Sequence, residues 1–172
     1  MFKFITAPAL ALMLGLGSVA HSQIFGRNTG LGPIYEIAVT LMLDGSADAD
    51  MAQNEFSPSR VMVIPGSGEI RKVCMVASLG TIIAENGTLY LFDTDPVITA
   101  GTTDLTLAEA NTVVAMFSFV GADYIELAAS AVNCQNTDEV YHNVTHAVYF
   151  QEGATTFATE DIAAHIWYQR RR

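Results

Sequence analysis

Two carboxylates, Asp93 and Asp95, stand one residue apart at the end of the apolar segment GTLYLFDTDP (87–96). Paired carboxylates are ligands for hard cations, which need about six oxygen donors in the case of calcium. No further Asp, Asn or Glu follows at a matching spacing, and Pro96 prevents a strand from continuing. Asp is also a favoured turn residue because its side chain bonds to nearby backbone. The pattern therefore favours a turn at a strand end over a metal site, and no metal is expected.

A second acidic segment, DGSADADMAQNE (44–55), imitates a calcium-binding loop. The residues at positions one, three, five, seven and twelve of such a loop are Asp44, Ser46, Asp48, Asp50 and Glu55. Position six is Ala49, however, where the sharp turn of a calcium loop requires Gly, and strand-like segments flank the loop where helices are needed. An acidic surface loop is the better interpretation.

The remaining reactive side chains do not form an enzyme motif. His142 and His146 are four residues apart in a segment that alternates as a strand, where this spacing spans about 13 Å and is too long for one zinc ion. No Ser or Cys lies in a GxSxG nucleophile pattern, and GSGE (66–69) lacks the Lys-Ser/Thr of a phosphate loop. The sequence predicts a protein that is not an enzyme and needs no cofactor.

Period-two alternation between turn residues predicts roughly nine short strands and almost no helix. In the segment 88–93, for example, Leu89 and Leu91 share one face and Tyr90 and Phe92 the other. The predicted strands cover 34–43, 60–64, 69–79, 88–93, 113–120, 124–132, 142–151, 155–159 and 162–169, with a turn at 65–68 and one helix at 105–112. This pattern is typical of an all-β fold, a single antiparallel β-sandwich of jelly-roll type with one short helix.

The first 33 residues differ in character from the rest of the chain. The segment MFKFITAPALALMLGLGSVAHSQ has one Lys, an apolar stretch and small residues near its end, as in a secretory signal peptide. The alternative is an extended N-terminal arm that packs against partner subunits and is not cleaved. We therefore predict two parts: 1–33, a hydrophobic signal-like segment or arm with a Gly-rich linker, and 34–172, the β-sandwich domain.

Charge is segregated along the chain, whose formal net charge is −10. From Val73 to Gln169 there is no Lys or Arg, against twelve Asp and Glu. An acidic body repels phosphate backbones, so nucleic acid is not an expected partner. The chain ends in the tail 170–172, three Arg that either bind an acidic neighbour or remain solvated. Cys74 and Cys134 could form a disulfide in an exported protein, or could be two small buried thiols.

Three segments resemble a group of small virion proteins of tailed bacteriophages: GSGEIRKVCMV (66–76), GTLYLFDTDPVITAGTTDLTLAEAN (87–111) and FSFVGADYIEL (117–127). The shared order is a glycine turn leading into a strand, a strand ending in an FD-x-DP turn, a short polar helix and a strand of the Y-I-x-L type. The resemblance implies a β-sandwich located on the virion as a head decoration or cement protein. Its implied partners are the phage major capsid protein, other virion subunits and further copies of itself, and no catalytic residue carries over.

The terminal segments contain the aromatic and Arg side chains that are enriched at the centres of protein interfaces. The predicted contact residues are Phe25, Arg27, Tyr35, Trp167, Tyr168, Arg170, Arg171 and Arg172. A simpler alternative is that Trp167 and Tyr168 only pack within the last strand. The signal-like segment leaves a second functional hypothesis open, a periplasmic or secreted β-sandwich module that binds a ligand or protein and has no membrane segment in its mature form.

Overall fold

Alternating apolar side chains run through most of the sequence after residue 30, and these segments form strands. The computed structural model describes residues 31–42, 50–51, 53–78, 86–99, 101–127, 130–153, 155–156 and 162–171. In chain order the strands are β1 (Leu31–Met42), β2 (Asp50–Met51), β3 (Glu55–Phe56), β4 (Arg60–Ser78), β5 (Gly87–Phe92), β6 (Val113–Phe119), β7 (Ile125–Leu127), β8 (Ser130–Gln151), β9 (Thr155–Thr156) and β10 (Ile162–Arg171). One short helix, α1 (Leu107–Ala110), precedes β6.

The sheet is organised around two long strands, β4 with 19 residues and β8 with 22. They pair antiparallel along nearly their whole length, from Arg60 opposite Ala147 to Ser78 opposite Ser130. The hydrogen-bonded order is β1-β10-β4-β8-β5-β6, with β3 and β7 also paired to β8, while β2 and β9 form a separate ribbon. The predicted all-β antiparallel fold with one short helix is confirmed, and its main sheet is open, with β1 and β6 at its two ends.

Both ends of this strand order contribute to one hydrophobic core. Leu41 of β1 and Ile166 of β10 belong to the same buried cluster as Leu91 of β5 and Phe117 of β6. A core shared between the two ends of a sheet is the arrangement that the two layers of a β-sandwich produce. A fully buried aliphatic side chain contributes about 1.5–3 kcal/mol, so this shared core is the main source of stability.

The predicted alternation of β5 is confirmed by a second, smaller cluster on the opposite face. Leu89 and Leu91 lie in the main core, whereas Phe92 is buried with Phe56 and Tyr90 packs against the same group. Strand β5 is therefore covered on both faces, which agrees with its nearly continuous burial.

Two predicted breaks do not exist in the structure. The turn predicted at 65–68 is part of β4, and β8 runs without a break from the end of the predicted strand 124–132 through the predicted strand 142–151. The earlier part of the predicted strand 124–132 forms a separate strand, β7. Gly66, with a φ of 79°, and Asn143, with a φ of 46°, take up the irregular pairing there, so the two strands bulge together and stay adjacent. The middle of β8 could not be predicted from the sequence pattern, because the residues between Cys134 and Val140 are polar and largely exposed. A strand that faces water needs no apolar alternation.

Gly87 at the start of β5 is required because the ring of Tyr149 occupies the place of a side chain there. The Gly87→Ala substitution should lower the free energy of unfolding by about 3 kcal/mol, since a well-packed buried ring has no space into which to move. Gly101→Ala is the control, because its φ is 81° but its surroundings are open; it should cost about 1 kcal/mol. Urea unfolding followed by tryptophan fluorescence measures both, and equal losses would contradict the steric explanation.

The hydroxyls of Tyr149 and Tyr124 are buried, and neither has a partner at hydrogen-bonding geometry among the described residues. Burial raises the pKa of both tyrosines above the ordinary value, and their closeness to each other adds to the effect on Tyr124. The folded protein therefore keeps protons that the unfolded chain loses above about pH 10. Stability from these groups is complete below that pH and falls as the pH rises further.

The Tyr149→Phe substitution should consequently reduce the loss of stability above about pH 10 by up to about 1.4 kcal/mol per pH unit. At neutral pH it should be neutral or slightly stabilising, because it removes a buried hydroxyl that the described part of the chain does not satisfy with a well-formed hydrogen bond. Urea unfolding at several alkaline pH values measures the slope, with Tyr35→Phe, which removes a hydroxyl from a more exposed ring, as the control. Identical slopes for the wild type and Tyr149→Phe would refute the prediction.

Candidate interaction surface

The paired carboxylates after β5 form a turn. Asp93 donates its backbone N–H to the carbonyl of Thr112 at 3.0 Å, which closes the segment between β5 and β6. One oxygen of Asp95 accepts the N–H of Val97 and the hydroxyl of Ser59, both at 2.9 Å. The Val97 N–H and, after it, the Ser59 hydroxyl lower the pKa of the Asp95 carboxyl. These bonds use the side chain as turn residues do, so the predicted strand-end turn is confirmed.

This turn is anchored to the rest of the fold. Ile98 is buried beside Phe56, and its carbonyl accepts the N–H of Ser59 at 3.0 Å. Farther along, Thr106 caps α1: its hydroxyl accepts the N–H of Glu109, and the Glu109 carboxylate accepts the N–H of Thr106. The reciprocal bonds of this capping box hold the start of a helix that is otherwise too short to be stable. These bonds hold the turn and the start of α1 in place, while Asp93, Asp95 and Asp104 are exposed.

A serine and a histidine meet at the bulge between β4 and β8. Ser67 Oγ lies 2.6 Å from Nδ1 of His142, and Asn143 Nδ2 lies 3.3 Å from the other ring nitrogen. Because Oδ1 of Asn143 accepts the N–H of Gly66, its amide nitrogen must face the ring and donate to it. The neutral ring then carries its proton on Nδ1 and donates to Ser67. In this arrangement the network joins β4 to β8 at the bulge, with the Ser67 hydroxyl accepting from His142.

Cys74 and Cys134 are joined in a disulfide and stand directly opposite each other in the β4–β8 pairing. On the other side of β4, His165 of β10 is the residue opposite Cys74. The disulfide therefore links the two longest strands at a point where β10 is also attached. The sequence alone left paired and free cysteines open because the two lie 60 residues apart.

The first part of the candidate surface is the stack around Tyr35 on β1. Tyr35 is 42% exposed. Its ring stacks on Tyr168 at a centroid distance of 5.6 Å, and the guanidinium carbon of Arg170 lies over it, 5.4 Å from the ring centroid. Tyr168 in turn is 6% exposed and meets Tyr141 edge-on. Tyr168 is thus the buried base of the stack, and Tyr35 with Arg170 is its accessible top.

The second part lies around Trp167, which precedes Tyr168 on β10 and, because strand residues alternate, projects from the opposite face of the sheet. The ammonium of Lys72 lies 4.8 Å from the Trp167 ring, a cation–π contact that holds the charged group over an aromatic face. Nearby, the carboxylate of Glu69 receives Arg71 at 3.0 Å and Arg171 at 3.9 Å. We name the whole set the basic–aromatic end, comprising Tyr35, Arg71, Lys72, Trp167, Arg170 and Arg171.

Strand β1 extends this surface to the edge of the sheet. It has β10 on one side and no described strand on the other. Its 12 residues contain a single charge, Glu36, which meets His165 at 3.0 Å. Long edges with few charges are available for contacts with another chain. The exposed part of the basic–aromatic end is therefore continuous with a sheet edge.

The predicted contact residues fall into two groups. Phe25, Arg27 and Arg172 lie outside the described residues, as does the hydrophobic segment 1–22. Tyr35, Trp167, Tyr168, Arg170 and Arg171 are brought together by the pairing of β1 and β10. Sequence reasoning did not find Lys72 and Arg71, because only the β10–β4 register places Trp167 opposite Lys72. That these side chains contact another protein remains a prediction.

The other predicted features have the following positions. Asp44, Ser46, Asp48 and Ala49 of the calcium-like segment are outside the described residues, and Asp50 and Glu55 start short strands. Within the described ranges, no group of three His, Cys, Asp or Glu side chains could hold a metal ion. None of the helices in the same ranges is long and apolar enough to span a membrane.

The sequence matches no protein family and no curated protein.

Removal of the disulfide should be measurable as lost stability. The Cys74→Ala, Cys134→Ala double variant should unfold with a free energy lower by up to about 4 kcal/mol, because the bridge closes a loop of 60 residues in the unfolded chain. Urea unfolding with and without dithiothreitol measures this. The reductant should weaken the wild type by a similar amount and leave the double variant unchanged. A wild type that is equally stable in both buffers would contradict the prediction.

Proposed function

We propose that this chain is a non-enzymatic structural protein of a tailed-phage virion, which decorates or cements the capsid through repeated contacts with neighbouring subunits. The observation that carries the proposal is the basic–aromatic end. On it, Arg170 lies over Tyr35 and Lys72 over Trp167, at the end of the sheet formed by β1 and β10. Trp, Tyr and Arg are the side chains that contribute most to protein interfaces.

The sequence resemblance to small virion proteins supports the same function. The segments that carry the resemblance, 66–76, 87–111 and 117–127, correspond to the middle of β4, to β5 with the acidic turn and α1, and to the end of β6 with β7. A decoration protein is present in many copies, so weak contacts add up through symmetry and avidity.

The disulfide supports a location in an oxidising environment, and the exterior of a virion is one such location. The periplasm is another, and this observation favours a second candidate function. In that alternative, the signal-like segment directs export, and the protein is a periplasmic or secreted binding module that uses the same surface.

The mass of the intact protein distinguishes the two candidates. We expect the full-length chain, with the Cys74–Cys134 disulfide, among the proteins of purified particles from the native source, in a fixed ratio to the major capsid protein. Denaturing the particles without reductant and measuring the intact mass before and after reduction tests this. A chain that has lost about the first 20 to 23 residues, as signal cleavage produces, and that is found in the periplasm but in no particle, would overturn the proposal and favour the binding module.

A further inference from the structure

The described cations occupy one part of the fold. Of the Lys and Arg side chains in the described residues, all but Arg60 belong to the basic–aromatic end. The Arg60 side chain donates to the carbonyl of Leu41 at 3.2 Å. From Val73 to Gln169 the sequence has no Lys or Arg. Acidic surfaces formed by residues 73–169 therefore contain no Lys or Arg of their own. The surface of this protein whose charge complements them best is the basic–aromatic end.

One acidic surface also exposes apolar side chains. It lies on the segment between β5 and β6 and consists of Asp93, Asp95, Val97, Asp104 and Leu107, which we name the acidic loop surface. Leu107 is 79% exposed and Val97 is 76% exposed, the two highest values among the large apolar side chains of the described residues. Large apolar groups at such exposure, surrounded by carboxylates, fit a partner that offers both aromatic rings and cations.

The two surfaces are located at different ends of the strand order. The basic–aromatic end is built on β1, β10 and the adjoining part of β4, whereas the acidic loop surface joins β5 to β6. A contact between two copies that used the same surface twice would bring like charges together, Arg170 and Arg171 in one case and Asp93 and Asp104 in the other. Like charges across an interface suppress association. The pairing of unlike surfaces instead brings Arg170 and Arg171 to carboxylates.

We propose that the basic–aromatic end of one copy docks on the acidic loop surface of a second copy, so that this chain assembles head to tail. This inference deepens the proposed function and rests on its premise of repeated contacts. Tyr35 packs against Val97 and Leu107, while Arg170 and Arg171 face the carboxylates. The cation–π contact holds Arg170 beside the Tyr35 ring before docking, which reduces the side-chain entropy that the interface loses.

Head-to-tail contacts leave one unused surface of each kind on every pair of copies. Such an interface closes into a ring when the rotation between copies allows it, and otherwise continues as an open array. The chain has a net charge of −10, so copies repel each other except where the basic–aromatic end faces an acidic surface. The same charge distribution therefore drives association and fixes its polarity.

Two charge-reversal variants of the full chain test the proposal. The first, Arg170→Glu with Arg171→Glu, alters the basic–aromatic end, and the second, Asp93→Lys with Asp104→Lys, alters the acidic loop surface. The matched control is Asp123→Lys with Glu126→Lys, which makes the same charge change as the second variant at two exposed acids, one between β6 and β7 and one within β7. Sedimentation velocity over a concentration series gives the dissociation constant, and urea unfolding checks that each variant is folded.

We expect the wild type to self-associate at about 0.1 M salt and to dissociate at about 1 M, where the Debye length falls from about 10 Å to about 3 Å. Each test variant alone should bind itself at least about tenfold more weakly. An equimolar mixture of the two test variants should form a dimer with one copy of each, because that pair retains one intact interface. The control variant should associate at least as tightly as the wild type.

A mixture that stays monomeric, or a control that weakens as much as the test variants, would overturn head-to-tail docking. A wild type that is monomeric at every concentration would overturn it too. If that monomeric chain is still present in purified particles, the virion function stands and the basic–aromatic end contacts a different subunit. If the chain self-associates as expected but is absent from particles, the docking stands and the virion function fails.

Discussion

The pairing of β4 with β8 is the constraint on which the rest of the structure depends. These strands stay adjacent from Arg60 and Ala147 to Ser78 and Ser130, and all the other strands of the main sheet attach to one of them or to a strand that does. Strand β10 pairs only with the later part of β4, and β5 pairs only with the end of β8. The two ends of the sheet therefore attach at different positions along the central pair. The position of each surface therefore follows from where its strand meets the central pair.

The disulfide and the bulge act on this central pair in different ways. The Cys74–Cys134 bridge fixes the register where β10 also binds, so the surface around Trp167 and Lys72 inherits that register. At the bulge, Gly66 and Asn143 adopt left-handed backbone and the Asn143 side chain ties the two strands together. The central pair has one covalent link and one bulge shared by both strands. It therefore tolerates substitutions at the ends of the sheet but not a shift of its own register.

Local features of the fold could be predicted from the sequence, and long-range ones could not. The faces of β5, the strand-end turn at Asp93 and Asp95 and the helix at 107–110 each depend on neighbours within a few residues, which pattern and turn chemistry describe. The length of β8 could not be predicted, because its middle is polar and is held by backbone bonds to β4, which no periodicity reports. Gly66 and Gly68 indicated a turn, but both lie within β4, and the backbone of Gln169 leaves no room for a side chain at Gly68.

The candidate surface shows the same division. Tyr35 and Trp167 were found by residue type, yet their burial depends on neighbours distant in sequence: Tyr168 buries one face of Tyr35, and Lys72 covers Trp167. Charge segregation was visible in the sequence, but its meaning required the topology, since β1 and β10 are the first and last strands and pair with each other. That pairing brings the cations near the end of the chain to the aromatic rings, whereas the acidic loop surface lies between β5 and β6. In the docking proposed above, these two surfaces of opposite charge meet between copies, and the contact therefore has a direction.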